Sequence, residues 1–184
     1  ITVNISSPNT EGLRDFHEQE KLKNLLLALN KIKKENKTDI SLLLKVSPDI
    51  EDNHISEIVD VATNNDIAAI ILTNTTNGNR DNLRSEIKKE KGGLSGKPLQ
   101  EISTNMIKKF YKQLNGKIPI IGVGGVDSGK SAYEKITAGA SLLQLYTGFI
   151  YKGPSAAKDI KKGLIQILKA EGLNNIKEAI GKGA

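Results

Sequence analysis

The segment Ile120-Ile121-Gly122-Val123-Gly124-Gly125 joins a short apolar run to a pair of glycines. Asp127-Ser128 follows, and either residue is a suitable N-cap for a helix that we predict to end near residue 138. Apolar residues resume at 142–146 and end in a second glycine-bearing turn, Thr147-Gly148. The segment therefore predicts a β-strand, a glycine turn and an α-helix, followed by the start of the same unit again.

The same alternation extends through the whole chain. Apolar, β-rich runs lie at residues 1–5, 42–46, 67–72, 118–123 and 142–146. Helical spacing of apolar residues predicts helices at residues 20–35, 52–64, 99–114, 127–138 and 154–171, with a short helix at 175–180. Apolar strands that alternate with helices predict a parallel sheet covered by helices. Two α/β architectures fit, a doubly wound sheet and a (β/α)8 barrel, of which five strands form only a part.

The composition argues against several classes of protein. The 184 residues, 38% hydrophobic and 26% charged, suit one globular domain, and no apolar run approaches the roughly 20 residues that cross a bilayer. There is no cysteine, and the two histidines, His17 and His54, lie among polar residues, so we expect both at the surface and no metal site. The net charge of +6 comes from lysines mixed with glutamates in helical segments, and only 4% of residues are aromatic. This pattern favours solvated helix surfaces over nucleic-acid binding.

Each predicted strand has polar residues or glycines at its carboxyl end. In chain order these are Asn4 and Ser7, Lys45, Thr73 and Asn74, Gly124 and Gly125, and Tyr146 and Thr147. Ligands bind at this edge of parallel α/β sheets, so the pattern indicates a site. Polar residues also terminate strands that have no functional role, which explains part of the pattern.

Lys45 and the glycine turns indicate what the site binds. Lys45 lies between three leucines and Val46, and a buried ammonium needs an anionic or strongly polar partner. The other predicted strands contain no acid, so a bound anion is a simpler partner than a carboxylate. The turn Gly124-Gly125 before a helix start suits a phosphate, although Asp127 takes the place of the third glycine of a dinucleotide fingerprint. With Thr147-Gly148 after the next strand, the sequence favours a barrel that holds a phosphorylated cofactor.

The residues at these turns resemble the dihydroorotate dehydrogenase family. The matching motifs, in the family's order, are Asn4-Ile5-Ser6-Ser7-Pro8-Asn9-Thr10, Thr73-Asn74-Thr75-Thr76, Gly92-Gly93-Leu94-Ser95-Gly96-Lys97-Pro98-Leu99, Ile120-Ile121-Gly122-Val123-Gly124-Gly125, Ala138-Gly139-Ala140-Ser141 and Gln144-Leu145-Tyr146-Thr147-Gly148. The resemblance runs from Asn4 to about Gly163. It implies an α/β fold, a (β/α)8 TIM barrel that binds FMN, of which residues 1–184 supply about the C-terminal five βα units of a single domain.

The resemblance also implies a role for each site residue. Ser7 matches the catalytic base that removes a proton from dihydroorotate while hydride passes to FMN. Contacts to dihydroorotate or orotate are implied for Asn4, Asn9, Asn74 and Thr75. Contacts to FMN are implied for Asn4, Lys45, Thr73, Ser95, Gly96, Gly124, Gly125, Tyr146 and Thr147, the last four around the phosphate. Lys45 matches a lysine beside the pyrimidine edge of the flavin, where positive charge stabilises the reduced form.

Serine at position 7 separates two classes of the family. The sister class has cysteine there, and this chain has none. The resemblance therefore implies the class that passes electrons to a quinone in pyrimidine biosynthesis. Such an enzyme is peripheral, on the cytoplasmic face of the inner membrane in a bacterium or on the mitochondrial inner membrane in a eukaryote. The family's first three strands and its membrane-contacting N-terminal helices are absent from this chain, so we expect the chain alone to fold poorly and to be inactive.

Two other functions stay open at this point. Another FMN barrel, of the cysteine class or the dihydropyrimidine dehydrogenase type, is disfavoured by Ser7. A non-catalytic phosphate-binding barrel fragment keeps the glycine turns but has no need of Ser7, Asn9 or Lys45. The long polar loop at residues 77–91 has two interpretations, a mobile lid over the site and an ordinary surface loop.

Overall fold

A computed structural model describes residues 1–78 and 80–184, so one position of the predicted 77–91 loop lies outside the described residues. The strands of the described part are β1 (Thr2–Asn4), β2 (Leu42–Val46), β3 (Ile67–Leu72), β4 (Ile120–Val123) and β5 (Ala140–Gln144). Its α-helices are α1 (Gln19–Glu35), α2 (Asp52–Asn64), α3 (Gln100–Leu114), α4 (Gly129–Thr137), α5 (Thr147–Lys152) and α6 (Ala156–Ala170). Short 3-10 helices occupy Leu13–His17, Lys97–Leu99 and Ile176–Ala179.

The strands form one parallel sheet in sequence order. Each pairs with the next, so the order is β1-β2-β3-β4-β5 and the outer edges belong to β1 and β5. A helix follows each of the five strands, which confirms the predicted α/β class. The chain therefore forms five consecutive βα units of a (β/α)8 barrel, with the sheet open between its outer strands.

The two faces of the sheet bury different residues. On the face covered by helices, Leu44 and Val46 are fully buried against α1 and α2, and Phe110 of α3 is fully buried in the same core. On the opposite face, a small cluster centres on Ile71 and Ile121. Leu43 and Lys45 of β2 alternate with the helix-facing residues, so Lys45 lies on this second face, which is the interior of a barrel.

The helix after the Gly124-Gly125 turn begins as the sequence predicts. Ser128 is its N-cap: its Oγ accepts from Ser131 N at 3.2 Å, and Ser131 Oγ accepts from Ser128 N at 3.0 Å. This reciprocal pair is a capping box. Ser128 and not Asp127 is therefore the cap. The first turn of α4 packs closely on α6, because a Cβ on Gly129 of α4 would lie 2.5 Å from the carbonyl carbon of Gly163 in α6.

The fifth strand begins and ends two residues earlier than predicted. The sequence places it at 142–146, but the structure places it at Ala140–Gln144, and Tyr146 is the N-cap of α5, a helix that the sequence did not predict. Ala140 belongs to the strand because it pairs with Ile120 of β4, and it packs closely on β4, since a Cβ on Gly122 would lie only 3.0 Å from the Ala140 Cβ. Strand propensity favours Leu142 as a starting residue, whereas close packing against β4 favours Ala140.

The expected surface position of His17 was wrong. His17 is only 6% exposed, and its Nε2 has no hydrogen-bond partner in the described part of the chain. Burial, with a smaller contribution from the charge of Arg14, lowers the pKa of His17 to about 4. The side chain is therefore neutral near pH 7. Its polar neighbours in the sequence gave no sign of this, because the Leu13–His17 turn folds it inward.

The interior face of the sheet is exposed at both outer strands. Leu142 of β5, the register partner of Ile121, is 62% exposed, and Asn4 of β1, the partner of Lys45, is also exposed. Among the helices of residues 1–78 and 80–184, none combines the length and the apolar character that a membrane span requires.

We expect the isolated 184-residue chain to unfold at low temperature without a cooperative transition and to self-associate, because unpaired strand edges pair with other chains. Circular dichroism melts and size-exclusion chromatography measure both properties. Leu142→Lys should reduce the self-association. Ile102→Lys, which changes an exposed residue of α3, should not. A monomer with one cooperative, high-temperature transition would contradict this expectation.

Candidate active site

The parallel register brings the strand ends to one rim. Asn4 is paired with Lys45, and Lys45 with Ile71 of β3. On the other side, Val123 of β4 is paired with Gln144. The segments that leave these strands therefore start at similar heights, and their side chains meet above the interior face.

A cleft of about 470 Å³ lies at this rim. The residues of the predicted site that line it are Lys45, Thr73, Asn74, Thr75, Ser95, Gly96, Gly124, Gly125, Tyr146 and Thr147. Leu99, Val126 and Gly148, which the prediction did not include, also line it. Ten residues from five separated segments are thus brought together where the sequence expects a flavin and its substrate.

Asn4 reaches this cleft through Asn74. Asn74 Nδ2 donates to Asn4 Oδ1 at 3.2 Å and to Ser6 Oγ at 3.0 Å, and Ser6 Oγ donates to Asn4 Oδ1 at 2.8 Å. Asn74 Oδ1 accepts from Thr75 N at 2.8 Å. Ser6 is fully buried and was missed by the prediction, which gave it no role between Asn4 and Ser7. These bonds fix both amide groups and leave the Asn4 Nδ2 group available to a ligand.

Ser7 and Asn9 lie beside the cleft and do not line it. Ser7 is partly buried, and its Oγ accepts from Asn9 N and from Thr10 Oγ1, both at 3.3 Å. Asn9 is exposed. Gly93 joins this loop to the cleft, because a Cβ on Gly93 would lie 2.6 Å from Thr75 Cβ and 2.8 Å from Pro8 Cγ. Only a glycine allows the two loops to approach so closely.

Lys45 is a partly buried cation without an acidic partner. No carboxylate of residues 1–78 and 80–184 forms an ion pair with it. Burial lowers the pKa of Lys45 below the ordinary lysine value. The ammonium group therefore faces the cleft with its charge uncompensated, which favours a ligand that carries or develops negative charge.

The Gly124-Gly125 turn requires glycine for two reasons. Both residues have positive φ, 115° and 72°, where other residues are strained. A Cβ on Gly125 would also lie 2.7 Å from Gln100 Cα and 2.9 Å from Gln100 N. The turn thus packs directly on the first turn of α3, and its bare backbone forms one wall of the cleft.

The opposite wall is tied to the same turn. The Ser95 and Thr147 hydroxyls are 2.9 Å apart and share a hydrogen bond, and a Cβ on Gly96 would lie 2.9 Å from Thr147 Cγ2. Gly148 packs on the backbone of Val126, the residue after Gly125, since a Cβ on Gly148 would lie 2.4 Å from Val126 O. Hydroxyls and exposed backbone therefore converge at this end of the cleft, as an oxyanion requires.

A larger surface cavity, of about 800 Å³, lies at the opposite ends of β2 and β3. Asn30, Lys33 and Asp66 are among its lining residues, and none of the predicted site residues lines it. Lys33 is already paired with Asp66 at 2.9 Å. Volume alone therefore does not locate the site, whereas unpaired charge and converging polar groups do.

Comparison with known proteins gives the chain relatives over nearly its whole length. The family model described as dihydroorotate dehydrogenase matches residues 1–168. A protein of Trichodesmium erythraeum (strain IMS101) named dihydroorotate dehydrogenase (quinone) is 44% identical over 98% of this chain and 49% of its own length. A protein of the same name from Christiangramia forsetii is 47% identical over 90% of this chain and 48% of its own length.

Solved structures agree with this result. The crystal structure of DHODH from Eimeria tenella in complex with ferulenol superposes with a TM-score of 0.93 at 37% identity, covering 98% of this chain and 53% of that one. The ligand-free structure from the same organism gives a TM-score of 0.91. The chain spans about half the length of the curated relatives that it matches. From the family model, the identities and the shared fold, the chain belongs to the dihydroorotate dehydrogenase family.

Proposed function

We propose that the protein containing this chain oxidises dihydroorotate to orotate, with hydride transfer to FMN and electrons passed on to a membrane quinone. The observation that carries the proposal is the cleft in which Lys45, Asn74 and the Gly124-Gly125 turn meet. The relatives named as quinone enzymes support quinone as the acceptor. A quinone dissolves in the bilayer, so the protein would work peripherally at the inner membrane of a bacterium, on its cytoplasmic face, or of a mitochondrion.

The residues of the cleft fit FMN. The glycine turn and the Thr147 hydroxyl suit a phosphate, because they offer backbone and side-chain donors without a carboxylate among the cleft-lining residues. Lys45, Thr73 and Asn74 suit a flavin edge, which presents alternating donors and acceptors. When bound there, FMN supplies the acceptor for a two-electron oxidation.

We assign the proton abstraction to Ser7. A serine is a weak base, so it needs groups that favour negative charge on its oxygen. The Thr10 hydroxyl and the Asn9 N–H both donate to Ser7 Oγ, and they supply part of that stabilisation. Ser7 Oγ would take the proton from one substrate carbon as its own hydroxyl proton passes to solvent, and the substrate would gain one carbon–carbon double bond when the neighbouring carbon gives up its hydride. Bound FMN would supply the acceptor for that hydride.

The amides position the substrate ring. Asn4 Oδ1 accepts from Ser6 and Asn74, and we propose that its Nδ2 donates to substrate carbonyl groups or to the flavin. Asn74 and Thr75 form the cleft wall beside it. We further propose that Asn9 contacts the substrate from the loop of Ser7, which packs through Pro8 against Gly93, beside Thr75.

Ser7→Ala in the complete flavoprotein should slow flavin reduction by dihydroorotate by roughly 10²- to 10⁴-fold, because it removes general-base catalysis. Bound FMN should be unchanged. Stopped-flow absorbance of the flavin measures the rate. Ser41→Ala, at an exposed position before β2, is the matched control. A Ser7→Ala protein that is reduced at the normal rate would exclude Ser7 as the base.

Lys45→Met should make the flavin harder to reduce, because the reduced form loses a nearby positive charge. Its midpoint potential should become more negative by ~30 mV for each ~1.4 kcal/mol of lost stabilisation. Spectroelectrochemistry measures the potential, and Lys34→Met, at an exposed lysine of α1, is the control. An unchanged potential in Lys45→Met would show that Lys45 is structural.

Gly125→Ala should abolish tight FMN binding, because the new methyl group displaces either the turn or α3. Gly116→Ala is the matched control: Gly116 has a similar φ of 76°, but a Cβ there meets nothing within 4 Å. It should cost only about 1 kcal/mol of backbone strain and leave FMN bound. Flavin absorbance of the purified proteins and thermal melts measure both effects. Normal FMN content in Gly125→Ala would contradict the role of the Gly124-Gly125 turn in binding the phosphate.

A further inference from the structure

Lys135 of α4 is a second buried cation, outside the cleft. It is 0% exposed, and its Nζ donates to Gln100 O at 3.3 Å, to Ser103 Oγ at 3.1 Å and to Thr104 Oγ1 at 3.1 Å. All three acceptors belong to α3, and all are neutral. They satisfy the hydrogen-bonding capacity of the ammonium group without cancelling its charge.

The charge of Lys135 is costly to keep in this position. Burial lowers the pKa of Lys135 to about 8, and the nearby Glu134 opposes this shift only partly. Glu134 itself accepts from Gln100 Nε2 at 2.6 Å and forms no ion pair with Lys135 among the described residues. The ammonium therefore stays mostly protonated at neutral pH. An apolar side chain of similar size is often as stable as a buried charge, so stability alone does not explain the lysine.

The residues that Lys135 holds are those on which the glycine turn rests. Ser103 Oγ donates to Val123 O at 2.5 Å, and a Cβ on Gly124 would lie 3.1 Å from Ser103 Cβ. Gln100, whose carbonyl accepts from Lys135, is the residue whose backbone contacts Gly125. The ammonium group is therefore linked to Gly124 through Ser103 and to Gly125 through Gln100.

This connection fixes the direction of the turn. In the relay from Lys135 through Ser103 to Val123, Lys135 Nζ donates to Ser103 Oγ, and this donation polarises the Ser103 hydroxyl and strengthens its own bond to Val123 O. Thr73 N also donates to Val123 O, at 3.1 Å. In a trans peptide the C=O and the following N–H point in opposite directions, so anchoring the Val123 carbonyl also sets the direction of the Gly124 N–H.

We propose that Lys135 is a positioning residue of an anion site at the Gly124-Gly125 turn. Through Ser103 and Gln100 it holds the turn in its phosphate-binding shape, and its charge, which forms no ion pair among the described residues, adds to the attraction for a phosphate monoester. The identity of the anion as the phosphate of FMN rests on the proposed function. The position of Lys135 and its contacts with α3 are independent of the proposed function.

Two flavins separate this role from a general structural one. FMN carries the phosphate monoester, and riboflavin has the same ring system without it. Both are titrated, by quenching of flavin fluorescence, into the complete protein after removal of its flavin. The variants are Lys135→Met, which removes the charge and keeps the length, and Ser103→Ala, which breaks the relay and keeps the charge. Lys112→Met, at an exposed lysine of α3, is the control.

Lys135→Met should weaken FMN binding by about tenfold to a hundredfold, the size expected for one partly screened charge pair, and should leave riboflavin binding within about twofold. Ser103→Ala should change the same ratio in the same direction by less, and Lys112→Met should not change it. Equal losses for the two flavins, or no loss of FMN affinity, would overturn the proposal. If Lys135→Met does not fold, the FMN-to-riboflavin ratio of Ser103→Ala decides. An unsubstituted protein that binds neither flavin would overturn the proposed function itself, and with it this inference.

Discussion

The hydrogen-bonded register of the parallel sheet is the constraint on which the site depends. Because β1 to β5 pair in sequence order and point the same way, every connection at their carboxyl ends starts from one rim. Asn4, Lys45 and the residues after Leu72 and Val123 are separated by many residues in sequence, and the ladder places them beside each other. A slip by one residue in β2 would turn Lys45 into the helix-packed core and Leu44 into the cleft.

Close packing at glycines brings together the loops that follow the strands. Gly93, Gly96, Gly125 and Gly148 each allow an approach that a Cβ would block, and together they bring four loops against one another. The loop of Ser7 meets Gly93 in this way, and the Gly124-Gly125 turn meets α3. The polar groups of the cleft therefore sit on contacts between backbones, which are stiffer than contacts between long side chains. This rigidity suits a site that must hold a cofactor and a substrate in one fixed relation.

Much of this arrangement can be predicted from the sequence, because strands, helices and glycine turns are local patterns. The bounds of α2 and the cap of α4 follow from periodicity and capping chemistry, and most predicted flavin contacts line one cleft. The burial of His17 was missed because it depends on how the Leu13–His17 turn folds. The start of β5 at Ala140 was missed because it depends on pairing with Ile120, which is distant in sequence. Lys135 did leave a signal: it follows Ala132 by three residues and precedes Ile136, on the apolar stripe of α4. What it touches on α3 is a tertiary contact that no local pattern contains.

We propose that one rim of the sheet binds both the flavin and the pyrimidine. A crystal structure of the complete protein with FMN and orotate tests it most directly. We expect the phosphate against Gly124, Gly125 and Thr147, the flavin ring beside Lys45, and orotate between Asn74 and the loop of Ser7. Electron density for the flavin at the opposite ends of the strands, or a phosphate held away from the glycine turn, would contradict it.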